Sequence, residues 1–366
     1  MNIETNTKLE HLRHKIGQML FVGFHDSKVD EDSDIVKNIQ KHNLGGVIYF
    51  DYYSYEKSYN RNIRSPKQLA TLTKTLQEFA PTPLFIGADI EGGKVNRLKK
   101  SYGFDSEIPS YFALGERDNL QHTYLAALKL AILMKSVGIN FNFSPVMDLS
   151  FRRCPIIGDL ERSFSNNPET VYRHCREVIK AHNENGIISV GKHFPGHGSA
   201  RSDTHMGFVD VTDTWVEYEL KPFEHAINNK KLDALLVAHT FNKRLDEDYP
   251  ATLSYKTQTE LLREKMGFKG VIISDDIDMF ALRNNYSFEE ILTRFINAGG
   301  DVLLIGNGHD KDLSRIEKAI DIIVQKVEDG IIPVCRINES YQRIMQMKEK
   351  YIFSADVEPL NPEDDE

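Results

Sequence analysis

The sequence holds little that would staple the chain, anchor it or carry it to a polyanion. Its three cysteines, Cys154, Cys175 and Cys335, are odd in number and far apart. They define neither a disulfide framework nor a zinc cluster, and a reducing cytoplasm is the expected compartment. No stretch approaches the roughly 18 continuous apolar residues of a membrane span. The amino terminus, MNIETNTKLEHLRHKIGQMLFVGF, lacks the basic-then-apolar order of a signal peptide. Positive charge is not in excess: 45 Lys and Arg stand against 54 Asp and Glu, giving a net charge of −9, and the basic residues are dispersed. That argues against nucleic acid as the main partner, which calls for a basic patch. No proline- or glycine-rich linker divides the 366 residues. One domain over 1–353 is expected, followed at 354–366 by an acidic, proline-containing tail too polar to fold.

What is present is a short apolar run, repeated, with longer amphipathic segments between several of the copies. The runs lie near 17–24 and at 45–50, 83–89, 139–146, 187–194, 234–239, 270–276 and 301–306. They are β-branched or aromatic and nearly continuous in hydrophobicity, as parallel strands buried on both faces must be. In the segment 312–330, Leu313, Ile316, Ala319, Ile320, Ile323, Val324 and Val327 form one helical stripe before Gly330. Asn338 is the expected N-cap of a last helix, with Tyr341, Ile344 and Met345 facing inward. Eight strands alternating with helices predict a closed (β/α)₈ barrel rather than an open sheet.

Polar residues stand repeatedly where these runs end: Asp89 and Glu91, Asp148, Lys192 and His193, His239, and Asp275 with Asp276. In a parallel barrel all of these fall on the C-terminal rim, where active sites are built. One such residue alone is more simply a helix cap or a solvated loop charge; the coincidence of five is not.

The densest stretch is GKHFPGHGSARSDTHMG, residues 191–207. Its glycines and Pro195 place Lys192 and His193 at a strand end and the rest in a loop. Asp203 and His205 are two residues apart. In an extended segment both side chains point the same way, so the carboxylate can fix the imidazole's tautomer and raise its pKa. A metal site built from His193, His197, Asp203 and His205 is the rival reading. Their spacing matches no familiar zinc pattern and Lys192 brings an unhelpful cation, so no metal is expected. In GVIISDDIDMFAL, residues 270–282, Asp275 follows four apolar residues and Ser274 at the strand tip. It is the strongest candidate nucleophile, to be kept ionised by a nearby Arg or Lys, while Asp276 caps the following helix. Asp89, with Lys94 and Arg97 beyond the Gly92-Gly93 turn, suits the gripping of sugar hydroxyls, and Arg162 in GDLERSF offers the same chemistry.

These motifs together resemble family 3 glycoside hydrolases, and within them the single-domain β-N-acetylglucosaminidases of bacterial cell-wall recycling (the NagZ type). The resemblance runs from KIGQMLFVGF through LGGVIYF, DIEGGKVNRL, INFNFSPVMDL, RSF, KHFPGHG with DTH, AHTFN, PATLS and GFKGVIISDDIDM to RINESYQRI, nearly all of residues 15–350. It implies Asp275 as nucleophile, His205 as general acid/base and Asp203 as its dyad partner. Asp89, Arg97, Arg162, Lys192 and His193 would bind N-acetylglucosamine in the −1 subsite, with no metal or organic cofactor. The implied substrate is a small carbohydrate, a muropeptide carrying terminal β-linked GlcNAc, acted on by a cytoplasmic monomer with no nucleic-acid or membrane partner.

Three departures stand out. Leu160 and Glu161 interrupt the usual Gly-Asp-Arg-Ser-Phe, which predicts a displaced Arg162. Ile90 replaces the usual glutamine between Asp89 and Glu91. The segment 50–65 is unusually rich in tyrosine, suited either to stacking on sugar or to a surface insertion. Within the same family a phosphorylase or a β-glucosidase is the alternative; outside it, a barrel that binds glycans without cutting them, which should lack the carboxylate or the loop histidine.

Overall fold

The computed structural model describes residues 3–52, 58–59, 61–151, 154–308 and 312–353. The tail expected at 354–366 and the middle of the tyrosine-rich segment lie outside the described residues. Each of the eight apolar runs contains one strand: β1 (Leu20–Gly23), β2 (Gly46–Ile48), β3 (Phe85–Ala88), β4 (Phe141–Asn142), β5 (Ile188–Phe194), β6 (Ala234–Val237), β7 (Val271–Ser274) and β8 (Leu303–Ile305). All pair in parallel and in sequence order, with β8 beside β1. The ring closes between β7 and β8, where Ile273 bridges Val302 and Ser274 N–H donates to Val302 O at 2.9 Å. The barrel and its ring of helices are the (β/α)₈ fold that the alternating runs predict.

Strand β4 is much shorter than the 139–146 run: Ser144 N–H turns back onto Asn142 O at 2.8 Å, and Pro145 beyond it has no N–H to give a ladder. Asn142 compensates at this point: its side chain both accepts from Ile90 N (3.0 Å) and donates to Ile90 O (2.8 Å). Inside the barrel, Phe21, Phe85, Phe141 and Phe143 are buried with ring centroids 5.1 to 6.4 Å apart. Burying one such ring stabilises by roughly 1.5–3 kcal/mol. Gly87 on β3 leaves them room, since a Cβ there would come 2.8 Å from Cζ of Phe21. This aromatic plug is the floor on which the C-terminal rim stands.

The helix Ser314–Glu328 buries Ile316, Ala319, Ile320, Ile323, Val324 and Val327, as its stripe predicts. The last helix differs from expectation. It spans Val334–Lys348 and starts after Pro333, so Asn338 is not its cap; that side chain accepts instead from Lys15 Nζ at 2.8 Å. Of the three inward candidates Ile344 is buried, whereas Tyr341 and Met345 are half-buried. Pro333 stands at the N-cap with extended backbone, its own φ fixed by its ring at −63°, and the helix begins directly after it.

This helix is tied to the barrel by a buried carboxylate. Asp301 accepts from Arg336, Arg343 and Ser340 on one oxygen (2.8, 3.0 and 2.8 Å) and from Arg263 and Ile272 N on the other (2.5 and 2.9 Å). Removing it takes a fully buried shared carboxylate from three partly buried guanidinium groups. Asp301→Ala is expected to cost about 3–5 kcal/mol, seen as a fall in Tm, while the folded fraction keeps its kcat.

Candidate active site

The C-terminal ends of the strands surround a cavity of about 250 Å³ that every predicted site residue lines: Asp89, Arg97, Arg162, Lys192, His193, Asp203, His205 and Asp275. Asp89 follows β3 directly, and Glu91 lies on the short hairpin Ile90–Gly92 and Val95–Asn96 that continues from it. Gly92 and Gly93 make its turn at φ of +96° and +54°, which side-chain-bearing residues seldom adopt. Lys192 on β5 bridges the two acids, its Nζ 2.7 Å from both Asp89 Oδ1 and Glu91 Oε1. Arg162 grips Glu91 with a two-pronged contact, Nε to Oε2 at 2.8 Å and a terminal nitrogen to Oε1 at 2.7 Å. Arg97 reaches Asp51 at 3.3 Å and Asp89 at 3.7 Å.

Burial raises the cost of a charge on Asp89, but Lys192, Arg97 and Arg162 overcome it and hold the carboxyl well below the usual range. Glu91 is held low against burial in the same way by Arg162 and Lys192. The result is a wall of fixed, mutually oriented charges, which suits a ligand with several hydroxyls.

Leu160 and Glu161 do not displace Arg162 from the cavity. The extra residues are taken up in a turn in which Glu161 adopts φ of +58° and Arg162 N–H donates to Ile157 O at 3.0 Å. Leu160 becomes part of the cavity wall.

Asp275 follows the tip of β7 and accepts the N–H of Asp276 at 2.8 Å. Burial pushes its carboxyl up, yet His239, His193 and His205 bring it below the ordinary value. The expectation of a neighbouring Arg or Lys is therefore corrected: imidazoles surround this carboxylate, and the basic side chains belong to the Asp89 and Glu91 wall. Asp276 does not cap a helix either. Its Oδ1 accepts from Asp278 N (3.0 Å) and Gly306 N (2.8 Å), lacing β7 to the end of β8. Burial and the adjacent Asp278 push the Asp276 carboxyl upward.

Across the cavity, Asp203 and His205 meet as predicted, though by a different geometry. The segment is a turn, with Met206 N–H donating to Asp203 O at 3.0 Å, rather than an extended strand. Asp203 Oδ1 accepts both the backbone N–H of His205 (2.8 Å) and its Nδ1–H (2.7 Å). This is the two-residue reach of an Asx-turn. The imidazole's Nε2 is left to face the cavity or solvent, and the side chain is 64% exposed. Partial desolvation at the cavity mouth lowers its proton affinity, but Asp203, Asp275 and Asp276 together raise its pKa above that of a free imidazole.

Asp148 organises the base of the same loop. It is fully buried and accepts from His193 Nδ1 (2.6 Å), His193 N (3.2 Å) and His197 N (2.7 Å). His239 lies under Asp275, with Nε2 donating to Asp276 O at 2.9 Å. Glu91, Asp148 and His239 carry the same strand-end signal as the candidates, and only their roles went unread. Asp51, buried beside Arg97 and Lys99, also directly follows an apolar run, at 45–50, and was passed over because it opens the tyrosine-rich segment. Among the described residues, no group of three or more His, Cys, Asp or Glu side chains is placed to hold a metal ion; His193 and His197 are instead tied to Asp148.

Beneath the loop lies a second acid, Glu219, which is fully buried. One oxygen accepts Val216 N–H at 3.3 Å, while among the described residues Oε2 and the nearby Ser199 hydroxyl make no hydrogen bond of ordinary geometry. Burial pushes this carboxyl up to about 7. The folded protein therefore holds a proton that the unfolded chain has released above about pH 4.5, so this group's contribution to stability falls as pH rises through that window. Glu219→Gln removes the effect. Its Tm is expected to match the wild type near pH 4.5 and to exceed it progressively towards pH 8; parallel curves would contradict the assignment.

A closed parallel barrel with a buried carboxylate facing a His–Asp dyad across a polar rim cavity is the arrangement of a barrel hydrolase. The profile of the Glycosyl hydrolase family 3 N terminal domain matches residues 11–347, and the chain belongs to this family of glycoside hydrolases. It is 38% identical over 270 residues to the Beta-hexosaminidase of Tolumonas auensis, covering 72% of this chain and 76% of that one. A family 3 β-N-acetylglucosaminidase from Paenibacillus sp. superimposes with a TM-score of 0.85 at 31% identity over 97% of this chain. This chain spans 65% of that enzyme. The β-N-acetylhexosaminidase of Beutenbergia cavernae has the same fold, with a TM-score of 0.81 at 23% identity, covering 92% of this chain and 98% of that one.

Proposed function

We propose that this glycoside hydrolase is a retaining β-N-acetylglucosaminidase that removes terminal β-linked GlcNAc, with Asp275 as nucleophile, His205 as acid/base and Asp203 as the residue that orients it. The observation that carries the reading is the presence of Asp275 and the Asp203–His205 dyad in one cavity. The relatives named Beta-hexosaminidase support the choice of sugar. In the first step protonated His205 donates to the glycosidic oxygen as Asp275 attacks the anomeric carbon, giving a covalent glycosyl-enzyme. In the second, neutral His205 takes a proton from water, which displaces Asp275 with net retention. Asp89, Arg97, Arg162, Lys192 and His193 would grip the sugar hydroxyls and the acetamido group, and their fixed network would spare the cost of ordering them on binding. Muropeptides of the cytoplasm are the proposed natural substrate.

The test is a comparison of 4-nitrophenyl β-GlcNAc with the corresponding β-glucoside. The first should have a kcat/KM higher by at least about tenfold, the scale of one or two lost polar contacts. A preference for the glucoside would overturn the reading. So would turnover that rises strongly with phosphate and yields GlcNAc-1-phosphate.

A further inference from the structure

Between the two members of the dyad lies the residue whose side chain is hidden. Ser202, His205 and Met206 are exposed and Asp203 is half-buried, yet Thr204 is 1% exposed. Its hydroxyl lies 3.3 Å from His197 Nε2, and its carbonyl accepts the N–H of Ala281 at 3.2 Å. His197 is itself held by Asp148, the carboxylate that also fixes His193. Ala281 belongs to the short helix Phe280–Arg283, six residues beyond Asp275. Thr204 thus joins the loop to the β5 side of the cavity through its side chain and to the Asp275 side through its backbone.

We propose that Thr204 is the positioning residue of the dyad, a peg that seats the loop between His197 and Ala281 and so sets His205 over the bond to be cleaved. The proposal rests on the reading of His205 as acid/base. Its physical basis is short range. Asp203 and His205 are each one residue from Thr204, about 3.8 Å along the chain, so a fixed Thr204 leaves them little freedom. Asp148 holds the base of the loop at His197, but at its tip the Asx-turn only orients His205 against Asp203. His197 is suited to receive the hydroxyl because it is buried and its imidazole stays neutral, burial drawing its pKa down to about 4. Among the described residues its Nδ1 has no hydrogen-bond partner, so none of them competes for the ring's orientation through that nitrogen.

Thr204→Val keeps the shape of the side chain and removes the hydroxyl, and Thr204→Ser keeps the hydroxyl. The assay is hydrolysis of 4-nitrophenyl β-GlcNAc with and without azide, with His205→Ala measured alongside. Azide attacks the anomeric carbon of the glycosyl-enzyme as its bond to Asp275 breaks. It needs no base and releases the β-glycosyl azide. Thr204→Val is expected to lower kcat roughly 10- to 100-fold, the scale of a misplaced catalytic group. KM should fall with it, because slowed release of the sugar lets the glycosyl-enzyme accumulate. Azide should restore a large part of the loss, and Thr204→Ser should stay near wild type. A wild-type kcat in Thr204→Val overturns the proposal, as does a loss that azide leaves untouched. If Thr204→Val does not fold, Thr204→Ala replaces it with the same expectations. Wild-type activity in His205→Ala would instead overturn the acid/base reading.

Discussion

Asp275→Ala is expected to lower kcat on 4-nitrophenyl β-GlcNAc by roughly four to six orders of magnitude, the range seen when a covalent nucleophile is deleted. The fold should survive this change. Among the described residues its side chain accepts only the adjacent Asp276 N–H, and the backbone bond from Asp275 N–H to Val237 O is kept in the variant. The imidazoles of His239, His193 and His205 hold its carboxyl below the ordinary value against burial, so the variant forfeits only that small electrostatic contribution. Tm should therefore fall only slightly. Asp276→Ala is the contrasting variant. It breaks the link from β7 to Gly306 after β8, so it should lower Tm. If Asp275→Ala kept near-wild-type turnover, the nucleophile would have to be sought elsewhere on the rim.

The second large effect belongs to the dyad. General acid–base catalysis contributes about 10²- to 10⁴-fold, and His205→Ala should lose an amount in this range on a sugar aglycone. The loss should be smaller on a 2,4-dinitrophenyl aglycone, which departs without a proton. Asp203→Asn tests the electrostatic part. Against the effect of burial, Asp203 and the carboxyls of Asp275 and Asp276 raise the pKa of His205. Activity requires the protonated form for the first step, so a raised pKa extends the active range towards alkaline pH. Neutralising Asp203 should move the alkaline limb of kcat/KM down in pH, with a larger loss at pH 8 than at pH 6. An unchanged limb would mean that Asp203 does not tune His205.

The barrel was legible because its strands are buried on both faces, so hydrophobicity alone marked all eight of them. The rim was legible for a related reason. A polar residue directly after such a run, as at Asp89, Lys192 and Asp275, has few places to go except the C-terminal face. What the pattern could not convey was partnership across the barrel. Glu91 lies in plain view beside Asp89, but its pairing with Arg162 spans 71 positions of sequence. Asp148 meets His193 from 45 positions away. Local geometry misled at two points. The two-residue spacing of Asp203 and His205 fits an extended segment and an Asx-turn equally well, and the bond from Met206 N–H to Asp203 O shows the turn. Asn338 has the chemistry of a cap, yet Pro333 starts the helix five residues earlier.

The central claim, that Asp275 forms a covalent bond to the sugar, can be tested by trapping that species. A 5-fluoro-β-GlcNAc fluoride carries a ring fluorine that slows both steps and a leaving group that needs no acid, so the glycosyl-enzyme should accumulate. Mass spectrometry of the digested protein is predicted to find a single added sugar on the peptide that contains Asp275, at that residue. Inactivation without an adduct, or an adduct on Glu91 or Asp276 in its place, would contradict the account.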